Sequence, residues 1–128
     1  MRIALVDDDA SIRRSVSRLL RSYGHECITY ESAERALADH DLTRMNCLLI
    51  DIELFGIDGF DLRDRLRDQG STIPHIFITA HCASEIPDWD SRIGESPYIK
   101  KPVEESLLLA CLYDLSQRKK IAAGLIVW

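Results

Sequence analysis

Short apolar runs alternate with helical periodicities from one end of this chain to the other. Ile3–Val6 is a compact apolar run closed by Asp7. Ile12, Val16, Leu19, Leu20 and Tyr23 then recur at the spacing of one helix face. Asp9 or Ser11 can cap that helix, and Gly24 ends it. Glu26–Tyr30 reads as a second strand, and Ser32 opens a short helix carrying Ala33, Ala36 and Leu37. Cys47–Ile50 is a third strand without polar interruption and runs straight into Asp51. Gly59 precedes a helix with Phe60, Leu62 and Leu66, stopped at Gly70. Ile73–Thr79 forms a fourth strand that tolerates Pro74 at its start, and Tyr98–Ile99 a short fifth. The last helix places Leu108, Cys111, Leu112 and Leu115 on one face. Between Ser84 and Ser96, Pro87, Asp88, Asp90, Ser91 and Gly94 predict a short or irregular fourth helix.

The pattern is a (βα)₅ alternation, and strands apolar on both faces predict a parallel sheet covered on both sides. The expected fold class is α/β: a flavodoxin-like, doubly wound, five-stranded parallel sheet in the order 2-1-3-4-5. Such sheets bind ligands at the carboxyl ends of the strands, so those ends are where chemistry belongs. The first strand ends in Asp7, Asp8 and Asp9, the third in Asp51, the fourth in Thr79-Ala80 and the fifth in Lys100-Lys101-Pro102. Strands 1 and 3 are neighbours in that order, which brings Asp7, Asp8 and Asp51 together. Close carboxylates repel unless one is protonated or a cation joins them. An open, oxygen-rich cluster suits Mg²⁺. With Lys101 and Thr79 beside it, Asp51 is a candidate phosphoryl-accepting nucleophile.

At 128 residues, 46% apolar and 29% charged, the chain has room for one domain with its own core. The net charge of −5 argues against a general nucleic-acid binder. The one basic cluster, Arg118-Lys119-Lys120, reads as a solvated helix end. Cys27, Cys47, Cys82 and Cys111 show no metal-ligand spacing. Three of them lie in apolar patterns, as in a reducing cytosol, and Cys82 falls in a loop. No apolar run reaches the ~20 residues of a membrane span. A cytoplasmic protein with no membrane partner is the expectation.

The motifs "LVDDD" (5–9), "LLID" (48–51), Gly59, "IFITA" (76–80) and "YIKKP" (98–102), with "YGHECITYESAERAL" (23–37), resemble the receiver domain of two-component response regulators, the CheY-like superfamily. The resemblance spans nearly the whole chain. It implies that Asp51 accepts a phosphoryl group from the phosphohistidine of a histidine kinase or phosphotransfer protein. It implies Mg²⁺ held by Asp8, Asp51 and the backbone carbonyl of Glu53, with Asp7 acting through water. Thr79 and Lys101 would hold phosphate oxygens, small Ala80 would leave room, and Lys101-Pro102 would be a cis peptide. Tyr98 would be the aromatic switch, turning inward as Thr79 moves, and the helix after Asp8 would dock the kinase. A receiver of this kind catalyses its own phosphorylation and dephosphorylation and is not a turnover enzyme.

Several positions depart from the family. Phe55, followed by Gly56, stands where proline is usual, and Glu53 adds a carboxylate beside the site. The fourth helix lacks the usual alanine-rich pattern, predicting an atypical or mobile output surface. Leu109 and Tyr113 point away from the core side of the last helix and offer a homodimer or effector surface together with the fourth helix and fifth strand. Residues 1–118 are assigned to the receiver domain, and 119–128 to an apolar tail or the start of a linker. The length leaves no room for an effector, so a stand-alone or excised receiver is expected. The rivals are a receiver-like interaction module with weak or no phosphorylation and a haloacid-dehalogenase-type phosphatase, for which Asp7-x-Asp9 has the nucleophile spacing. A flavodoxin-like cofactor site is disfavoured, because "DDDAS" would repel a phosphate without metal.

Overall fold

The structure, a computed structural model, describes residues 1–122, with side chains through Arg118. The apolar tail assigned to 119–128 otherwise lies outside the described residues. Strands β1 (Arg2–Val6), β2 (Glu26–Tyr30), β3 (Cys47–Asp51), β4 (His75–Thr79) and β5 (Tyr98–Lys100) form one sheet in the order β2-β1-β3-β4-β5. Every pairing is parallel. Helices α1 (Ala10–Ser22), α2 (Ala33–Ala38), α3 (Gly59–Asp68), α4 (Trp89–Ile93) and α5 (Glu105–Ala122) connect or follow the strands. Two short 3₁₀ turns, His40–Arg44 and Ala83–Glu85, complete the chain. The (βα)₅ fold class read from the periodicity is therefore the observed one.

The period-2 alternation of the strands feeds two cores. Ala4, Val6, Leu48, Ile50 and Phe77 pack with Ala33, Ala36, Phe60 and Leu62 on the side of α2 and α3. Ile3, Leu5, Leu49, Ile76, Ile78 and Ile99 pack with Val16, Leu20, Leu108 and Leu112 on the side of α1 and α5. Each fully buried Leu, Ile or Phe contributes about 1.5–3 kcal/mol, which anchors the strands whose ends carry the site.

Helix starts follow their caps. Asp9 accepts from Ser11 N at 2.8 Å, and Ser32 accepts from Arg35 N at 3.1 Å. Asp58 caps α3, accepting from Asp61 N at 2.8 Å. Gly59 is the first residue of that helix, and a side chain there would collide with the Asp51 carbonyl and with Ile52 Cα. That close approach brings α3 directly against the end of β3.

Other boundaries shift. β4 begins at His75 rather than Ile73, because Pro74 has no N–H for the ladder. Tyr23, assigned to the buried face of α1, is 53% exposed; its hydroxyl reaches Glu105 Oε1 at 2.6 Å instead. Leu109, expected to point away from the core, is half-buried, whereas Tyr113 is exposed. The fourth helix is five residues long, as its composition predicts. Side-chain contacts tie it to α3. Arg92 reaches Asp58 Oδ2 at 3.0 Å and Asp61 Oδ1 at 2.8 Å, and its guanidinium lies 4.7 Å from the Phe60 ring centroid.

Candidate functional site: an acidic cluster at the carboxyl edge of the sheet

The carboxyl ends of β1, β3, β4 and β5 converge. Asp7 and Asp51 are buried, Asp8 is exposed, and one carboxylate oxygen from each lies within 4.8 Å of the others. The Lys101 ammonium stands 2.9 Å from Asp7 Oδ2 and 3.2 Å from Asp51 Oδ2. Its position follows from the backbone, where Lys101 N donates to Thr79 O at 2.7 Å. The Lys101-Pro102 peptide is cis.

Asp51 Oδ1 accepts from Glu53 N at 3.1 Å, and Asp7 Oδ1 accepts from Asp9 N at 2.9 Å. Arg13, which sequence reasoning did not single out, donates to the Asp7 carbonyl at 2.8 Å. Burial and the neighbouring Asp7 charge push Asp51 up from the usual carboxylate range, against the opposing pull of Lys101. Burial lowers Lys101, but its hydrogen bond to Asp7 and the charges of Asp51 and Asp7 outweigh that and raise it overall.

Three carboxylates face one ammonium, and among the described residues that ammonium is the partner of the buried Asp7 Oδ2. The surplus of anionic oxygen in an all-oxygen cluster is what a hard divalent cation completes. The residues present therefore fit a metal ion.

Thr79 is buried at the end of β4, and Ala80 beside it is exposed. The Thr79 hydroxyl donates to Glu53 Oε1 at 2.6 Å and accepts from His81 N at 3.1 Å. Glu53 Oε2 lies 2.6 Å from His81 Nε2, and His81 Nδ1 lies 2.8 Å from Glu85 Oε2. The hydrogen bond to Glu85, then the charge of Glu53, raise the His81 pKa. This chain of side chains was missed from sequence; the i,i+4 spacing of His81 and Glu85 in "HCASE" was the only local signal for it.

Tyr98 is half exposed and meets Trp89 edge-on, with ring centroids 4.9 Å apart. Phe55 is 90% exposed at the rim of the site. Next to it, Gly56 adopts φ +84°, a conformation that suits glycine. Glu34 on α2 straps the same loop by accepting from Ile57 N at 2.9 Å. Asp9, the second member of the phosphatase spacing, is committed to capping α1 and accepts from both Ser11 N and Ser11 Oγ.

The family model for the response regulator receiver domain matches residues 3–113. The chain belongs to the receiver-domain family of response regulators, which are signalling domains rather than turnover enzymes. It is 30% identical over 118 residues to nodulation protein W of Bradyrhizobium diazoefficiens, covering 92% of this chain and 52% of that protein. It is 27% identical to the transcriptional regulatory protein FixJ of the same organism, covering 94% of this chain and 59% of that one. The chain thus spans little more than half the length of these relatives. Among solved structures, a CheY-like receiver domain protein from Methanospirillum hungatei superposes with a TM-score of 0.79 at 28% identity, covering 93% of this chain and 96% of that one. Vibrio cholerae chemotaxis protein CheY4 superposes with a TM-score of 0.78 at 26% identity, covering 89% and 97%. Among the described residues, no helix is long and apolar enough to cross a membrane.

Proposed function

We propose that this domain receives a phosphoryl group on Asp51 from a phosphohistidine and transmits its presence through α4, β5 and α5. A carboxylate oxygen of Asp51 forms a bond to phosphorus as the phosphorus–nitrogen bond breaks. The electron pair returns to the imidazole nitrogen of the donor. The observation that carries this reading is the meeting of Asp7, Asp8 and Asp51 with Lys101 at the mouth of the sheet, Thr79 standing beside them.

Lys101 keeps Asp51 in the ionised form that a nucleophile requires and offers its ammonium to the incoming oxygens. Glu53 N, donating to Asp51 Oδ1, fixes the rotamer of the nucleophile. Asp8, Asp51, the Glu53 carbonyl and, through water, Asp7 would hold Mg²⁺. Bound there, the ion supplies charge neutralisation to a dianionic group entering an acidic pocket. Thr79 and Lys101 then hold phosphoryl oxygens, and Tyr98 turns as Thr79 moves.

The partner is a histidine kinase or phosphotransfer protein, approaching over α1. The face bearing Tyr98, Leu109 and Tyr113 is the surface for a second copy or an effector. The names of FixJ and its kind point to transcriptional output in a longer protein.

Incubation with Mg²⁺ and acetyl phosphate, followed by intact mass spectrometry, tests the reading. One added phosphoryl group, lost in Asp51→Asn and on chelation, is the expected result. Sustained hydrolysis that depends on Asp7 but not on Asp51 would point to the phosphatase. No Mg²⁺-dependent response at all would leave an interaction module.

A further inference from the structure

Glu53 serves the site described above through its backbone. Its carboxylate is engaged elsewhere, and with the very hydroxyl that a phosphoryl group would need. A threonine hydroxyl has one hydrogen to donate. Glu53 Oε1, 2.6 Å away, is the nearer acceptor for that hydrogen, the His81 carbonyl lying at 3.4 Å, while one lone pair accepts from His81 N at 3.1 Å. The single donor of the hydroxyl is thus engaged before any phosphate arrives. The other oxygen of Glu53 is held at 2.6 Å by His81 Nε2, and His81 is held in turn by Glu85 in the Ala83–Glu85 turn.

We propose that Glu53 is a positioning residue whose carboxylate competes with the phosphoryl oxygens for the Thr79 hydroxyl, so that switching exchanges one anionic acceptor for another. The proposal rests on Asp51 being the phosphoacceptor. Glu53 N already sits 3.1 Å from Asp51 Oδ1, so a phosphoryl group on Asp51 brings close to two negative charges beside the Glu53 side chain. Repulsion drives the carboxylate outward just as Thr79 gains a stronger acceptor. His81 and Glu85 move with it, because Glu53 remains paired to His81. The loop after β4 is thereby coupled to the phosphate through contacts specific to this chain's Glu53, His81 and Glu85. The resting form is held off by a residue that must be displaced, and affinity for small phosphoryl analogues is lowered accordingly.

A double-mutant cycle read by beryllofluoride titration in the presence of Mg²⁺, followed by amide NMR of the full chain, separates this exchange from simple charge repulsion. Glu53→Ala should tighten beryllofluoride binding about tenfold, the equivalent of one charge-assisted hydrogen bond. In a Thr79→Val background the gain should fall to about twofold or less, since the contested hydroxyl is gone. Thr79→Ser should restore it. In the free protein without Mg²⁺, Glu53→Ala should shift the amides of His81 and Ala83–Glu85.

Equal tightening in both backgrounds would overturn the proposal in favour of plain repulsion. No tightening, or unmoved loop amides, would overturn it outright. In each of these cases the adduct itself still forms, and the phosphoacceptor reading survives. Failure of the wild-type chain to form any adduct at Asp51 would overturn that reading and the competition together.

Discussion

Asp51→Asn should make the metal-free protein more stable, and the gain should depend on pH in a defined direction. Asp51 is buried next to Asp7, and its pKa is pushed up to about 6 by burial first and the Asp7 charge second. A carboxylate whose folded pKa exceeds its unfolded value binds its proton more tightly in the native state. Folding is then favoured at low pH, and stability is lost as pH rises from the unfolded pKa through the folded one. The shift of about two pH units corresponds to roughly 3 kcal/mol lost by wild type once the group is ionised. The variant escapes that loss, and the pull of Lys101 is already contained in the net shift. The net expectation is a gain of about 3 kcal/mol at pH 7.5 that vanishes below pH 4. Urea melts of both proteins in EDTA at pH 4.5, 6 and 7.5 measure it, and titrating groups away from Asp7 and Lys101 cancel in the difference. Adding Mg²⁺ at pH 7.5 should stabilise wild type more than the variant. A variant no more stable than wild type at pH 7.5, or a difference flat with pH, would refute the account of Asp51 as a strained, uncompensated charge.

Other residues give further tests. Gly59→Ala should cost about 2–3 kcal/mol in urea melts, because the new methyl must push α3 off the Asp51 carbonyl; an unchanged midpoint would mean the loop yields freely. Arg92→Ala should cost about 1 kcal/mol, as it removes paired, part-exposed charges and a cation–π contact. It should also shift Trp89 emission, since Trp89 packs on the same Phe60 ring, and an unmoved emission would argue against the clamp. Burial first, then Arg63 and Arg67, pull His75 down to about 4. Its folded pKa lies below the unfolded one, so stability is full above pH 6.5 and falls as pH drops toward 4. His75→Gln should remove about 2 kcal/mol of that acid loss, the full shift being discounted for partial solvent access; parallel pH profiles of the two proteins would contradict it.

Much of the site was readable in one dimension because parallel strands align their carboxyl ends. Asp7, Asp51 and Thr79 each follow an apolar run directly, and Lys101 stands just past the end of β5, so naming the strands also named the edge. The shortness of α4 was equally legible, since proline, glycine and acidic residues disfavour helix wherever they sit. Tyr23 was misread for the opposite reason. Its partner, Glu105, lies 82 residues away, and no local periodicity encodes such a pairing.

What the sequence by itself determined was the order of elements, the two apolar faces of the inner strands, and the identity of the charges at the strand ends. These follow from side-chain periodicity and from the few topologies open to a (βα)₅ chain. Only the tertiary structure decided that the Thr79 hydroxyl lies 2.6 Å from Glu53 Oε1, that Glu53 is bound to His81, that Arg92 ties α4 to α3, and that Asp7 Oδ2 meets the Lys101 ammonium. Those outcomes depend on loop paths and rotamers that bring distant residues within 3 Å of one another, a scale that hydrophobic patterning does not reach.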